Sequence, residues 1–276
     1  MSKSLEGRIA LVTGTSRGIG LGIAQRFAAE GATVALTART VDPHPTLPGT
    51  LRETARRIEA DGGRCLIVPA DLCDPAARQE LVETVRADLG PIDILVNNAA
   101  RAFYEPARSI SEKRIRLSLE LNLIAPYDLS QRVVPHMQET GSGWILNIGS
   151  ATCEVPPGPP FSRFDAEAGV GTYAMTKAAL NRLTVALAAE LHADRIAVNC
   201  LSPVAAVLTE AAVALGVIGD DAPTEPLEEM AEAALALCCS DPQRLTGRIA
   251  YSGPLLAELS RPVRSLDGRS LHTPRV

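Results

Sequence analysis

Short apolar, β-branched runs alternate with helical patterns from one end of this chain to the other, and that alternation restricts its possible folds more than any single motif. Runs at residues 8–13 (RIALVT), 33–38, 65–70, 93–98, 144–149, 195–200 and 247–251 have the length and composition of buried strands. Between them the spacing predicts helices over 18–30, 50–61, 75–89, 111–139 and 172–191. In the first of these, Ile19, Ile23 and Phe27 share one face and Gly31 stops the helix. Strands separated in this way pair as parallel neighbours joined by right-handed crossovers. The expected fold is α/β, a doubly wound parallel seven-stranded sheet. Such a sheet binds its ligand at the carboxyl ends of the strands, where strand order reverses. With 276 residues and no internal linker, one domain is expected over 1–253, and 254–276 is read as an irregular tail of that domain.

Composition narrows the function classes. The net charge is −5 and aromatics make up only 3 % of residues, which is unlike the basic, aromatic-dotted face of a nucleic-acid binder. No apolar run is long enough to span a bilayer, and the opening MSKSLEGR lacks the apolar segment of a secretory signal. The six cysteines form no CxxC and no spacing that pairs with histidine. Reduced thiols, a cytoplasmic location and no metal are therefore expected.

The segment TGTSRGIG, residues 13–20, leaves the first strand and opens the first helix. Gly14 permits a tight turn, Gly18 lets backbone approach a phosphate, and Gly20 lets the helix pack on the sheet. The free N–H groups and dipole of the helix terminus favour an anion, so this strand, loop and helix read as a dinucleotide site; the alternative is an ordinary turn. Charge after the second strand decides which dinucleotide. An acid there would hold the ribose hydroxyls of NAD, but the chain reads TARTV, with Arg39 in that region and Arg17 in the loop. Two guanidiniums suit the additional phosphate of NADP, making NAD the less favoured cofactor. Asp71, ending the third strand, is placed to meet the adenine.

With this loop, NNA at 97–99, Ser150 and YAMTK at 173–177 in that order, the chain resembles the short-chain dehydrogenase/reductase family over about residues 5–251. The resemblance is to the single-domain, Rossmann-like branch. It implies a catalytic set of Asn122, Ser150, Tyr173 and Lys177, and cofactor contacts at Gly14, Ser16, Arg17, Ile19, Asp71, Leu72, Asn98 and Ala99. The insertion HPTLPGT and the basic Arg39 look like the hydroxysteroid dehydrogenase-like subgroup. Members of that subgroup can carry a sterol-carrier domain, for which 276 residues are expected to leave no room. Three departures stand out. Ala100 replaces the glycine of NNAG, Val204 replaces the glycine of the usual Pro-Gly, and the threonine that often holds the carboxamide is displaced to Thr209.

Only three of the chain's 27 basic residues are lysines, yet Lys177 stands four residues after Tyr173, one of only four tyrosines. At that spacing the two share a helix face. A free phenol, with pKa about 10, is a poor base at neutral pH. The ammonium is expected to lower that value by about two to three units, so that Tyr173 serves as general acid/base. Ser150 would hydrogen-bond the reacting oxygen, and Asn122 would hold a water leading to Lys177. The reading is an NADP(H)-dependent oxidoreductase moving hydride between the nicotinamide and a carbonyl or secondary alcohol. The alternative is a catalytically weak or inactive dinucleotide-binding sensor or scaffold. The proline-rich stretch 154–169 is expected to line the substrate mouth and to suit an apolar small molecule. The helix over 172–191 is apolar nearly all round, which together with the resemblance predicts a homodimer or homotetramer.

Overall fold

The computed structural model describes residues 3–42, 48–210, 213 and 223–272. Seven strands form one all-parallel sheet: β1 (Ile9–Thr13), β2 (Thr33–Thr37), β3 (Arg64–Ile67), β4 (Ile94–Asn97), β5 (Gly143–Ile148), β6 (Ile196–Ser202) and, last in the chain, β9 (Ile249–Tyr251). Their spatial order is β3-β2-β1-β4-β5-β6-β9, so order reverses between β1 and β4. There the register pairs Val12 with Val96.

Alternation along the strands builds two cores. Ala10 and Val12 point to one face, against α1 (Gly18–Ala29), α2 (Leu51–Ala60) and α8 (Leu227–Cys239). Leu11 points to the other, against α3 (Pro75–Asp88), α5 (Ala125–Thr140) and α7 (Gly171–Leu191). Both faces are covered, which is why the strands read as continuous apolar runs rather than alternating ones.

The helix expected over 111–139 is interrupted. It comprises α4 (Glu112–Leu119), a π-helical turn (Glu120–Ile124) and α5. Pro126 has no N–H to offer the Asn122 carbonyl four residues earlier, and widening the turn is one way to accommodate that loss. Buried Arg78 of α3 grips this stretch, donating to Glu120 and Asp128 at 2.6 Å each. The tail is not irregular from its start, because Ser252–Glu258 forms α9 and buries Leu255 and Leu256. Its Gly-Pro pair reads as a breaker, but proline is tolerated in a first helical turn. A small parallel pair, β7 (Ala206–Leu208) and β8 (Thr224–Pro226), lies outside the main sheet, and α6 (Arg163–Glu167) sits within the proline-rich stretch. Among the described residues no helix is long and apolar enough to cross a membrane.

Candidate active site

At the reversal point the three glycines act in different ways. Gly14 has φ +72°, and a Cβ there would lie 2.8 Å from the Asn98 amide nitrogen. A Cβ on Gly20 would lie 2.5 Å from the Gly14 carbonyl oxygen, so α1 can seat on the loop only without one. Gly18, at φ +60°, has open space where its Cβ would be. No side chain caps the start of α1, leaving its terminal N–H groups for an anion. The ends of β1 and β4 are laced together. The Asn98 and Ala99 N–H groups donate to the Thr13 hydroxyl at 2.9 and 3.0 Å, and the Asn98 amide donates to the Thr13 carbonyl at 2.8 Å.

Gly14, Ser16, Arg17, Arg39, Asp71, Leu72 and Ala99 line one cleft of about 260 Å³. Arg39 is mostly exposed and stands 3.9 Å from Asp71, a loose pair that leaves its guanidinium available. Arg17 is held differently. It donates to the Gly49 carbonyl at 3.3 Å, and burial lowers its pKa. Gly49, with φ +84°, packs against the Ser16 carbonyl, while Thr50 caps α2. The described end of the insertion after β2 therefore braces the phosphate loop; residues 43–47 lie outside the described residues. Ala100 and Arg101 also line this cleft.

Gly18, Ile19, Asn98 and Ser150 line a second, larger cavity of about 830 Å³, whose other lining residues include Tyr104, Phe164 and Val204, with no charged side chain among the described residues. Phe164 comes from the proline-rich stretch, which therefore reaches the cavity as expected from its position in the chain. Behind this cavity stands α7. Tyr173 is half-buried close to Ser150, whose hydroxyl pairs with the Thr152 hydroxyl at 2.9 Å and caps the short 3-10 turn Ala151–Cys153. Lys177 is buried, and its ammonium donates to the Ile148 carbonyl at 2.6 Å. It lies 5.7 Å from the Tyr173 ring centroid. Asn122, in the π turn, is buried with both amide hydrogens engaged, by the Arg101 carbonyl (2.9 Å) and the Thr176 hydroxyl (3.1 Å). Its oxygen accepts the Arg101 N–H at 2.8 Å. The structure thus brings the four residues expected to act together to one end of α7, although the Asn122 side chain is committed to neighbouring chain.

The proton balance departs from the expectation. Burial, with Tyr104 second, raises the Tyr173 phenol to about 12, opposite to the expected lowering. Desolvation lowers Lys177 to about 8. An ammonium this deeply buried is itself hard to keep charged, and its shortest contact goes to a carbonyl rather than to the phenol. Burial therefore opposes the phenolate form of Tyr173.

Two features here escape sequence reasoning. Tyr104 packs edge-on against Tyr173, with centroids 6.3 Å apart, while remaining open to the cavity. The scarcity of tyrosine is the one signal in the chain that points to it. A buried polar ladder also runs from Asn97 to Asn147 and on to Thr184, each step 2.9 Å, fixing α7 against β4 and β5. Among the described residues no group of three or more His, Cys, Asp or Glu is placed to hold a metal ion.

Comparison with known proteins agrees with this geometry. A family profile described as short chain dehydrogenase matches residues 8–216. Hydroxysteroid dehydrogenase-like protein 2 is 34 % identical in Danio rerio, with 91 % of this chain aligned to 58 % of that protein, and 32 % identical in Homo sapiens, with 92 % aligned to 58 %. The chain thus spans under two thirds of these relatives' length. Among solved structures, a short chain dehydrogenase from Mycobacterium thermoresistibile superposes with TM-score 0.80 at 33 % identity, covering 92 % of this chain and 88 % of that one. A metagenomic short-chain oxidoreductase in complex with NADP superposes with TM-score 0.73 at 28 % identity, covering 90 % and 98 %. The chain belongs to the short-chain dehydrogenase family, near the hydroxysteroid dehydrogenase-like subgroup.

Proposed function

We propose that this protein is an NADP(H)-dependent oxidoreductase working between a bulky apolar carbonyl compound and its secondary alcohol, with Tyr173 as the proton-transferring group. One observation carries the reading: Ser150 lines a cavity that shares Gly18 and Ile19 with the phosphate loop, and behind it stand Tyr173, packed on the lining Tyr104, and buried Lys177. The cradle suits a dinucleotide. Open space lies over Gly18, the N–H groups of α1 are free of side-chain caps, and Arg39 stands exposed at the adenosine end, where it would hold a 2′-phosphate. NADP-bound relatives of similar fold support the same cofactor.

When bound, the nicotinamide supplies the hydride. The protein's part is orientation and the proton. Ser150 would hold the carbonyl oxygen, and Tyr173 would donate its proton to that oxygen as negative charge develops there. A phenol near 12 can still serve, because an alkoxide is a far stronger base than a phenolate. Lys177 would stabilise the phenolate left behind and hold the nicotinamide ribose. With both Asn122 amide hydrogens used, a water leading to Lys177 would rest on main-chain carbonyls of the π turn instead. This balance favours reduction at neutral pH, with oxidation of the alcohol gaining as pH rises.

Assembly follows from one surface. Met175, Ala178 and Val185 lie exposed along one face of α7 beside exposed Arg182, and Ile124 and Tyr127 are exposed where the π turn meets α5. An apolar strip on two adjoining elements suits a two-fold contact with a second copy. The functional reading is tested by incubating the protein with NADPH and a panel of bulky ketones while following NADPH loss and alcohol formation. Equal moles of each support it; tight NADPH binding with no oxidation across the panel would favour the sensor reading.

A further inference from the structure

Residues 203–207 line the larger cavity together with Ile19, Asn98 and Ser150. They form the stretch in which Val204 occupies the place of the family's glycine, and the chain restrains them by an uncommon means. Glu225, on β8 opposite Val207, is almost fully buried at 3 % exposure. Its carboxylate accepts the Val204 N–H at 2.7 Å, with the Ala205 N–H close by. The buried Ser252 hydroxyl, at the end of β9, donates to both carboxylate oxygens, at 2.9 and 3.0 Å. Among the described residues no cation pairs with Glu225, and the neighbouring Glu229 adds repulsion. A carboxylate buried without a counter-charge is costly unless its hydrogen bonds are good, and here they tie the cavity wall at Val204 to Ser252. The proline-rich stretch is tied to the same strand end, for Tyr251 donates to Glu154 at 2.5 Å.

We propose that Glu225, braced by Ser252, is a positioning residue that holds residues 203–207 as the wall on which the nicotinamide end of the cofactor rests. The proposal builds on the NADP(H) reading above. A reacting ring must lie between the phosphate loop and Ser150 with Tyr173, and this wall lines the space between them. Removing the carboxylate leaves the Val204 N–H without its acceptor, and the wall relaxes at the nicotinamide end only. The adenosine end is built from the segments that follow β1, β2 and β3 and from the start of α1, and makes no use of Glu225.

The test compares NADPH with 2′-phospho-ADP-ribose, which keeps the adenosine half and lacks the nicotinamide, in Glu225→Ala, Glu225→Gln and Ser252→Ala. Hydrogen exchange at the Val204 and Ala205 amides gives a readout independent of activity. In Glu225→Ala, NADPH affinity should fall about tenfold, the loss of roughly one charge-assisted hydrogen bond, while the fragment changes by less than about twofold. The two amides should exchange faster. Glu225→Gln should recover most of the affinity, since its carbonyl can accept from Val204 while its amide donates to Ser252. Ser252→Ala should fall between them. Equal loss for both ligands, unchanged NADPH affinity in Glu225→Ala, or a Gln variant as weak as the Ala variant would overturn the proposal. A parent that binds neither ligand would overturn the dinucleotide reading instead. In that case unchanged amide exchange in Glu225→Ala would also sink the part assigned to Glu225.

Discussion

The two ends of the site are built by different means. At the adenosine end the parts are close in sequence: the loop 13–20, its glycines, and Arg39 just beyond β2, assembled by one strand, turn and helix and braced by Gly49. At the reacting end each part comes from a different stretch of chain, and the chemistry depends on what buries it. Tyr173 meets Tyr104, Lys177 meets the Ile148 carbonyl, and Asn122 meets the backbone of Arg101. Local geometry makes a candidate binding site whose proposed ligand follows from residue types. Long-range burial makes a reactive site whose proton affinities cannot. The two should therefore fail separately when mutated.

The largest effect should come from Tyr173→Phe. Turnover should fall about a thousandfold or more, as expected for loss of a general acid, while NADPH affinity measured by fluorescence stays within about threefold. If affinity collapses together with turnover, the two ends are not separable.

Lys177 gives the next effect, on stability rather than rate. Its pKa is lowered from 10.5 to about 8 by burial, so between those values the unfolded chain binds the proton and the folded one does not. Stability from this group is present above about 10.5 and is lost as pH falls through about 8. In urea titrations the stability of the parent relative to Lys177→Met should therefore rise by about 3 kcal/mol from pH 8 to 10.5. A constant difference across that range would mean that the lysine is better solvated than its surroundings imply.

At the other end, Arg39→Asp should swing the ratio of NADPH to NADH affinity by about tenfold to a hundredfold toward NADH, the equivalent of one charge-assisted phosphate contact. Turnover per bound cofactor should barely change. No swing would show that Arg39 is a solvated surface charge, consistent with its exposure and its loose contact to Asp71.

The smallest effect should follow from shortening the proline-rich stretch around residues 156–161. Phe164 should lose its place at the cavity, and KM values should shift severalfold among apolar substrates, about 1 kcal/mol, with NADPH affinity unchanged. Loss of cofactor binding with fixed substrate preference would make this stretch structural.

The sheet and most of its helices were legible in the sequence because buried parallel strands read as unbroken apolar runs and their crossover helices carry their own periodicity. The phosphate loop was legible because each glycine there meets a backbone demand that other residues fail. The π turn was not: Pro126 announces a lost hydrogen bond, but not whether the helix bends or widens. Nor was the state of Tyr173. The spacing to Lys177 predicts a charge effect, whereas the dominant influence is burial, with Tyr104 contributing from a loop that has no periodicity to place it. Glu225 was equally hidden, since its partners lie 21 and 27 residues away in the chain.

The central claim is that burial, and not the lysine charge, sets the proton on Tyr173 in the free protein. Ultraviolet difference titration of the parent against Tyr173→Phe, without cofactor, isolates that one phenol. The account predicts no phenolate signal from Tyr173 between pH 7 and 10, with ionisation beginning only toward about 12. A phenolate titrating with a midpoint near 7 to 8 would contradict it and restore the ammonium as the dominant influence.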